Sequence, residues 1–213
     1  AAVIGYLLGT VPVGVLIARA YGGMDIRKTG SGNAGTTNVL RTLGWIPSIL
    51  TLLGDCLKGV LGALAGRWLG GETGMLLGGF FAVLGHDFPF FLRFKGGKGI
   101  ATSLGVTFVI CPPVAPWLVV IVLAIVALVR IMSAGTLTAS LVYPLLFWLY
   151  LPEGADAVSY MTFAVAAMLL SFFCHRSNIQ RLFRGEENRL DFGRIGKISK
   201  KYMREYLNKH RKK

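Results

Sequence analysis

The chain has 213 residues, of which 54% are hydrophobic and 15% are charged, and Lys plus Arg outnumber Asp plus Glu by 23 to 10. Soluble globular domains carry roughly 25% charged residues, so this composition argues against a soluble domain and favours an integral membrane protein. The basic residues lie at the ends of apolar segments and in the C-terminal tail, which suits an anionic membrane surface better than a nucleic acid.

Seven apolar segments are candidate membrane-spanning helices. In chain order they cover residues 1–20, 46–69, 74–92, 100–111, 114–129, 136–151 and 157–174. The first could instead be a signal peptide, but it has no basic flank and no clear cleavage site. The chain begins without Met, so we expect further residues before it. Several segments are shorter than the ~20 residues of a full crossing, so five crossings with re-entrant short segments is the alternative.

The links between these segments alternate in charge. Basic residues occupy the first, third and fifth links, whereas the second, fourth and sixth together hold Glu72, Glu153 and Asp156. The tail from His175 onward holds 13 Lys and Arg against 4 Asp and Glu. The positive-inside rule then puts the N-terminus outside and the C-terminus in the cytoplasm. We therefore predict an all-α, polytopic membrane protein, with one domain over residues 1–190 and a basic cytoplasmic tail over residues 191–213.

The first link contains a polar stretch, residues 30–41, that reads Gly-Ser-Gly-Asn-Ala-Gly-Thr-Thr-Asn-Val-Leu-Arg. Arg41 can grip a phosphate as a bidentate fork, while Ser31 and nearby backbone N–H groups complete the shell. The alternative is a flexible connector with a helix cap at Thr37 or Asn38. Twelve such residues between two spans are more than a connector requires.

Two apolar segments contain polar side chains. Asp55 and Lys58 are three residues apart, which permits a local ion pair. Charges inside a membrane are usually paired or functional, and we expect this pair to brace a site rather than react. His86 lacks the acid five residues later that common acyltransferase motifs have, because position 91 is Phe. A hydrogen-bonded structural role is therefore favoured over a catalytic one for His86.

The third link starts with Arg93, reads Phe-Lys-Gly-Gly-Lys-Gly over residues 94–99, and precedes an apolar, helix-like run that starts at Ile100. Glycines let consecutive backbone N–H groups approach one anion, and a helix N-terminus adds a favourable dipole. Lys98 supplies a cation. The spacing is not that of a Walker A loop. The loop is thus either a phosphate cradle or simply a tight, basic turn between two membrane helices.

The last apolar segment is followed directly by His175, Asn178 and Arg181, which recur at helical spacing and share a face. A base, an amide and a cation on one face form a plausible site wall, although a basic flank after a membrane span is the alternative. Ser31 has no neighbouring His and acid, and the Gly-x-Ser-x-Gly motif is absent, which disfavours a covalent serine mechanism. The three dispersed cysteines and the absence of zinc motifs predict no metal and no disulfide framework.

In this order the polar segments resemble those of the membrane-integral bacterial glycerol-3-phosphate acyltransferases that use acyl phosphate, the PlsY family. The similarity covers nearly the whole chain up to Asp191, with small departures at Thr36 and Gln180. The residues that carry it are Gly30, Ser31, Gly32, Asn33, Gly35, Thr37, Asn38 and Arg41; Gly54, Asp55, Lys58 and Gly59; Gly85, His86, Phe88 and Pro89; Phe94 to Gly99, Ala101 and Thr102; and His175, Arg176, Asn178, Ile179, Arg181, Gly185 and Glu187.

The resemblance implies acyl transfer from acyl phosphate to the 1-hydroxyl of sn-glycerol 3-phosphate, giving lysophosphatidic acid and phosphate without acyl-CoA, acyl-carrier protein or a cofactor. It also implies a monomer, embedded among membrane lipids in the bacterial inner membrane, with its site facing the cytoplasm. The catalytic residues that we expect are Ser31, Arg41, Lys98, His175 and Asn178. The expected substrate-binding residues are these five with Gly32, Asn33, Gly35, Thr37, Asn38, His86, Lys95, Gly96, Gly97, Gly99, Thr102 and Arg176. Asp55, Lys58 and Glu187 are expected to be structural.

Three other functions would use a similar composition. A transporter for an anionic solute is disfavoured because the rich polar segments lie on one side and the midplane holds few charges. A phosphotransferase that acts on lipid head groups with bound metal would need clustered aspartates, whereas the five aspartates here are scattered. A lipid-binding scaffold would explain the tail but not residues 30–41.

Overall fold

The fold is all-α, as the sequence predicts. A computed structural model describes residues 1–210, and those residues contain no β-strand. Two short 3₁₀ turns, Ile26–Lys28 and Phe90–Leu92, connect some of the helices. The helices are α1 Ala2–Gly9, α2 Val13–Gly22, α3 Thr36–Leu43, α4 Trp45–Asp87, α5 Ile100–Ile110, α6 Val114–Val129, α7 Met132–Leu149, α8 Ala157–Cys174, α9 Arg176–Phe183 and α10 Phe192–His210.

Four stretches within residues 1–210 are long and apolar enough to cross a membrane: Ala2–Gly22, Trp45–Leu92, Met132–Leu149 and Ala157–Cys174. Helices α5 and α6 are apolar but shorter, with 11 and 16 residues. The protein is therefore an integral membrane protein built of long and short helices. The number of crossings and the orientation of the termini remain predictions.

Helix α4 is a hairpin rather than one straight rod. Its backbone leaves helical geometry at Gly70 (φ −161°, ψ 32°) and at Gly71 (φ 59°, ψ −139°). A Cβ added to Gly66 would lie 2.9 Å from the carbonyl carbon of Gly74 and 3.1 Å from Cα of Gly78, so the two arms of α4 are in direct backbone contact. These arms correspond to the predicted segments 46–69 and 74–92, and Gly71 supplies the positive φ that the turn requires.

Glycines also bring α1 against α4. A Cβ on Gly5 would approach Cα of Gly78 to 2.9 Å, and one on Gly9 would approach Cα of Ala82 to the same distance. Small residues at such spacing let the backbones of membrane helices approach closely. Inside a bilayer the hydrophobic effect does not drive helices together, so van der Waals contact between the backbones stabilises their packing. The glycine content of the apolar segments is thus explained by packing.

We expect Gly66→Ala to destabilise the protein, because the new methyl group would overlap rigid backbone on the opposite arm of α4. Overpacking of this kind costs about 1–3 kcal/mol, which thermal unfolding in detergent would register as a lower Tm. Gly70→Ala is the matched control in the same helix, since a Cβ there meets no atom within 4 Å. Equal Tm values for the two variants would contradict the close packing of the arms.

The C-terminal tail is helical and docked. Helix α10 packs against α2, α3 and α4, and Ile195 is buried in a cluster with Leu40, Val126 and Leu190. For residues 191–213 the sequence analysis predicted only a basic cytoplasmic tail, with no helix. The last three residues of that predicted tail, 211–213, lie outside the described residues.

Candidate active site

A cavity of about 340 Å³ lies among helices α3 to α9, a volume suited to a small ligand or part of a lipid. Its lining is of two kinds, a hydrogen-bonded charged cluster, which we call the polar end, and a wall of apolar side chains, so it suits a molecule with a charged head and an apolar tail. Polar side chains that line the cavity include Ser31, Thr36, Thr37, Arg41, Lys98, His175, Asn178, Arg181 and Glu187. Apolar side chains that line it include Leu104, Leu118, Val119, Val122, Leu123, Ala139 and Met168.

A connected set of charged groups forms the polar end. Lys98 Nζ donates to Asn178 Oδ1, and Asn178 Nδ2 donates to Glu187 Oε1 at 2.8 Å. Glu187 Oε2 accepts from Arg181 Nε, also at 2.8 Å. The exposed fraction of the Glu187 side chain is 3%, so this carboxylate is held between its partners and does not face the cavity as a free charge.

Arg41 completes this end from α3. Its Nη2 donates to the carbonyl of Asn188 at 2.9 Å, whereas its Nε is buried without a hydrogen-bond partner among the described residues. The cavity also meets Asp55, which is paired with Lys58. Three cations, Arg41, Lys98 and Arg181, thus face one remaining carboxylate, Glu187, which leaves a net charge of +2. A phosphate dianion would balance that charge.

Burial controls the protonation of this end. Removal from solvent lowers the pKa of Lys98 to about 8, with the nearby Arg181 and Arg41 adding to the effect and Glu187 opposing it. Burial also lowers the pKa of Arg41, which still remains charged at neutral pH. A bound anion would favour the charged form of Lys98 and raise its pKa again.

His175 follows α8 directly and is neutral at pH 7. Burial, followed by the charge of Lys98, lowers its pKa to about 4. Its Nδ1 lies 2.8 Å from the carbonyl of Ser171, which can only accept, so Nδ1 carries the proton. Nε2 is then an acceptor, and it lies 3.3 Å from the hydroxyl of Thr136, which can donate to it. The ring therefore offers an acceptor nitrogen at the wall of the cavity.

The glycine–lysine loop is held by backbone contacts rather than left open. Gly96 N–H donates to the carbonyl of Asp87 at 3.1 Å, and Gly97 N–H donates to that of His86 at 3.0 Å. These two N–H groups are therefore occupied and are not directed at a ligand. What the loop contributes to the cavity is the Lys98 side chain and the start of α5, whose first-turn N–H groups have no partner within the helix.

Beneath the loop lies a buried polar cluster. Lys58 Nζ is 3.0 Å from Asp55 Oδ1 and donates to the carbonyl of Val11 at 2.9 Å, and His86 Nδ1 is 3.3 Å from the same Asp55 oxygen. The His86 ring packs directly against Gly97, where any Cβ would overlap it. This cluster ties α4 to the loop after α1 and to the glycine loop, so it fixes the position of Lys98.

The first polar link is organised by Asn38. Its Oδ1 accepts from Ser31 N–H at 2.9 Å, and its Nδ2 donates to the carbonyls of Ile26, Thr29 and Asn33. Asn33 Nδ2 reaches the carbonyl of Gly96 at 3.4 Å and so joins this link to the glycine loop. Asn38 thus shapes the link, while Ser31, Gly35 and Thr37 line the cavity.

Seven of the residues that were predicted to bind the substrates do not line this cavity: Gly96 and Gly97 of the glycine loop, Gly99 at the start of α5, and four others. Lys95 is exposed, and Gly32 forms a turn with φ 73°. Thr102 is fully buried against α4, where its carbonyl meets Gly59. Arg176 lies over the Phe173 ring, 4.6 Å from its centroid, and donates to that residue's carbonyl. None of the four is among the residues that line the cavity.

Sequence reasoning missed a row of hydroxyls on α7 and α8. Ser133, Thr136 and Ser140 line the cavity from α7, and the Ser140 hydroxyl lies 2.8 Å from that of Ser171 on α8. Their spacing of three and four residues puts them on one face of a helix, a signal present in the otherwise apolar segment. Thr36 was noted only as a departure from the family pattern, yet it also lines the cavity.

Comparison with known proteins gives a consistent result. The family model described as "Glycerol-3-phosphate acyltransferase" matches residues 1–185, so α10 lies beyond the match. A glycerol-3-phosphate acyltransferase of Thermus thermophilus is 45% identical over 87% of this chain and 91% of its own length. A glycerol-3-phosphate acyltransferase of Carboxydothermus hydrogenoformans is 40% identical over 89% of this chain and 95% of its own length.

Two solved structures have a similar fold, and both are of PlsY, an integral membrane glycerol 3-phosphate acyltransferase. The glycerol 3-phosphate form has a TM-score of 0.81 and 37% identity, covering 89% of this chain and 94% of that one. The lysophosphatidic acid form has a TM-score of 0.79 and 35% identity, covering 91% and 95%.

Proposed function

This chain belongs to the glycerol-3-phosphate acyltransferase (PlsY) family and is an integral membrane acyltransferase, and from that premise we propose its donor, product and mechanism. The donor is an acyl phosphate and the acceptor is sn-glycerol 3-phosphate, which is acylated on its 1-hydroxyl. The products are lysophosphatidic acid and inorganic phosphate. This reaction is the first acylation of phospholipid synthesis.

One observation carries the proposal: a single cavity is lined both by a cluster of cations and by an apolar wall. Both substrates of the reaction carry phosphate, and the donor also carries an acyl chain. The groups at Arg41, Lys98 and Arg181 match the phosphates, and the apolar wall from α5 and α6 matches the first part of the chain. Assembly of both substrates in one place supplies much of the rate enhancement through proximity.

The transfer itself needs little covalent help from the protein. An acyl phosphate is a mixed anhydride with a good leaving group. The glycerol hydroxyl oxygen forms a new C–O bond with the carbonyl carbon, and the C–O bond to phosphate breaks with its electron pair on the departing phosphate. Arg41 and Lys98 stabilise the charge that develops on that phosphate.

The proton of the hydroxyl requires an acceptor. His175 Nε2 has the lone pair, but a pKa of about 4 makes it a weak base. A phosphate monoester in water has a second pKa of about 6, so an oxygen of the substrate phosphate is a second candidate for the proton acceptor. We propose that this oxygen takes the proton, while His175 and Asn178 orient the substrate hydroxyl.

We expect Ser31→Ala to retain partial activity, with kcat reduced by about 3- to 10-fold, because a hydroxyl that only binds phosphate contributes about one hydrogen bond. Steady-state turnover and mass spectrometry of enzyme quenched during turnover would check this together. Isolation of an acyl-Ser31 adduct, or complete loss of activity in the variant, would contradict direct transfer.

We also propose where the protein lies in the cell. The protein spans the bacterial inner membrane as a monomer, with its cavity facing the cytoplasm, residues 1–190 as the catalytic domain and the segment from 191 as an appended cytoplasmic tail. In support, the basic links and the tail share one face under the positive-inside rule.

The donor is tested by measuring products from purified protein in lipid or detergent, without added metal or CoA. Palmitoyl phosphate and glycerol 3-phosphate, supplied together, should yield lysophosphatidic acid and phosphate in equal amounts, and neither substrate alone should yield them. Activity with acyl-CoA but not with acyl phosphate would overturn the donor and keep the acyltransferase class.

A further inference from the structure

Helix α10 docks on the bundle through an apolar face. Ile195 is 2% exposed. The rings of Tyr206 and Tyr21 stack with centroids 4.8 Å apart, and those of Phe192 and Trp45 stack at 6.2 Å. The tail helix therefore has a defined place beside the ends of α2 and α3 and the start of α4.

The opposite face of α10 is basic. With 3.6 residues per turn, the cations at positions 194, 197, 200, 201 and 204 all fall within an arc of roughly 120°. All five of these side chains are exposed, and Lys201 lies 4.0 Å from Glu205. An apolar face opposite a basic face is the pattern of a helix that lies at a membrane surface and attracts anionic lipid.

A groove of about 920 Å³ separates this helix from the start of α4. Its walls are of two kinds, aromatic or apolar from the bundle and cationic from α10. The residues that matter here are Tyr21, Trp45, Ile46, Met203, Lys200 and Arg204. The two cations are four residues apart, so they lie on one face of α10, one turn above the other.

The groove lies at the edge of the membrane-spanning region. Trp45 is the first residue of the apolar stretch Trp45–Leu92, and aromatic residues concentrate at such boundaries. Directly beyond it, Ile46, Ile49 and Leu53 repeat on one face of α4 and are 43%, 49% and 59% exposed. This exposed apolar strip runs from the groove into the depth of the bilayer.

We propose that the groove is a binding site for an anionic phospholipid, separate from the acyl-transfer cavity. The head-group phosphate lies between Lys200 and Arg204, and the acyl chains follow the strip of Ile46, Ile49 and Leu53. Charge complementarity selects the lipid, because a zwitterionic head group brings its own cation against the same two side chains. The bound lipid bridges α10 to α4, next to the 3.0 Å hydrogen bond from Trp45 N–H to Ser199 Oγ.

The test is native mass spectrometry of the full chain in detergent, titrated with phosphatidylglycerol or with phosphatidylcholine of identical acyl chains. No acyl donor or glycerol 3-phosphate is present, so the result is independent of the proposed reaction. The wild type should retain phosphatidylglycerol in preference to phosphatidylcholine. The double variant Lys200→Gln/Arg204→Gln should weaken phosphatidylglycerol binding by roughly 20-fold and leave phosphatidylcholine binding unchanged.

Arg194→Gln/Lys197→Gln is the matched control, since it removes the same charge from the same face of α10 but outside the groove. It should change phosphatidylglycerol binding less than about 3-fold. Equal losses in the two double variants would show diffuse attraction to the basic face and overturn the site. Displacement of the lipid by millimolar inorganic phosphate would overturn it as well, because a phosphate-only site needs no lipid. Thermal unfolding of all variants checks that α10 remains docked.

Discussion

Lys98→Ala is expected to lower kcat/KM for both substrates by about 10²- to 10³-fold, the size of effect seen when a preorganised charge stabiliser is removed from an active site. Lys98 is the cation that the glycine loop delivers to the cavity, and its Nζ contacts Asn178. Its loss would also leave Asn178 Oδ1 without its donor, while Glu187 keeps its contacts with Asn178 and Arg181. Arg93→Ala is the control, because Arg93 is an exposed cation of the same loop. Similar activity in the two variants would contradict the role of Lys98.

The pH dependence of the same residue gives a second readout. The empty site lowers the pKa of Lys98 to about 8, and phosphate binds the charged form. The KM for the phosphate substrates should therefore stay flat between the second pKa of the phosphate, about 6, and that pH, and rise above it. In Lys98→Arg the cation stays charged, so this rise should move to higher pH even if turnover falls. If KM in Lys98→Arg rises at the same pH as in the wild type, a group other than Lys98 causes the rise.

Arg41→Ala is expected to have the second large effect, again about 10²- to 10³-fold on kcat/KM. Its Nη2 is anchored on the Asn188 carbonyl while its buried Nε has no protein partner among the described residues, which leaves a donor for the ligand. Arg41→Lys should recover little of this loss, because an ammonium cannot make the bidentate contact. Steady-state kinetics of both variants, with the exposed Arg184→Ala as control, would check this. Full rescue by lysine would show that charge alone suffices.

Much of the fold could be predicted because apolar segments and their basic links are local signals. The link at residues 70–73 marked the turn inside α4, and Gly71 adopts the positive φ found there. The contact partners of the glycines could not be predicted. Gly66 could face either the other arm of α4 or the lipid. Which one it faces depends on how the two arms pack, and the amino-acid composition does not reveal that packing.

The candidate site shows the same division. Arg41, Lys98, His175 and Asn178 carry groups whose chemistry is legible in sequence, and the structure brings all four to one cavity. The loop glycines were predicted to cradle phosphate with their N–H groups, but Gly96 and Gly97 donate to backbone carbonyls. The carbonyls at the end of α4 compete with a ligand for those N–H donors. Which acceptor the donors bond depends on the three-dimensional arrangement of the loop, which the sequence does not give.

The tail illustrates what charge alone leaves undetermined. Its basic composition predicted attraction to an anionic surface but no defined structure. Ile195 and the rings of Phe192 and Tyr206 dock it onto the bundle, so one face is apolar and the other is basic and exposed. The alternation of apolar and basic residues that produces these two faces is present in the sequence. The sequence alone does not show that the apolar face packs against α2 and α4.

The most direct test of the central claim is a crystal or cryo-EM structure of this protein with glycerol 3-phosphate bound. We predict that phosphate density lies within hydrogen-bond distance of Lys98 Nζ or of the Arg41 guanidinium. The glycerol hydroxyls should point toward His175 and Asn178. Phosphate held instead at the surface near Lys95, or on the N–H groups of Gly96 and Gly97 after the loop rearranges, would contradict the account.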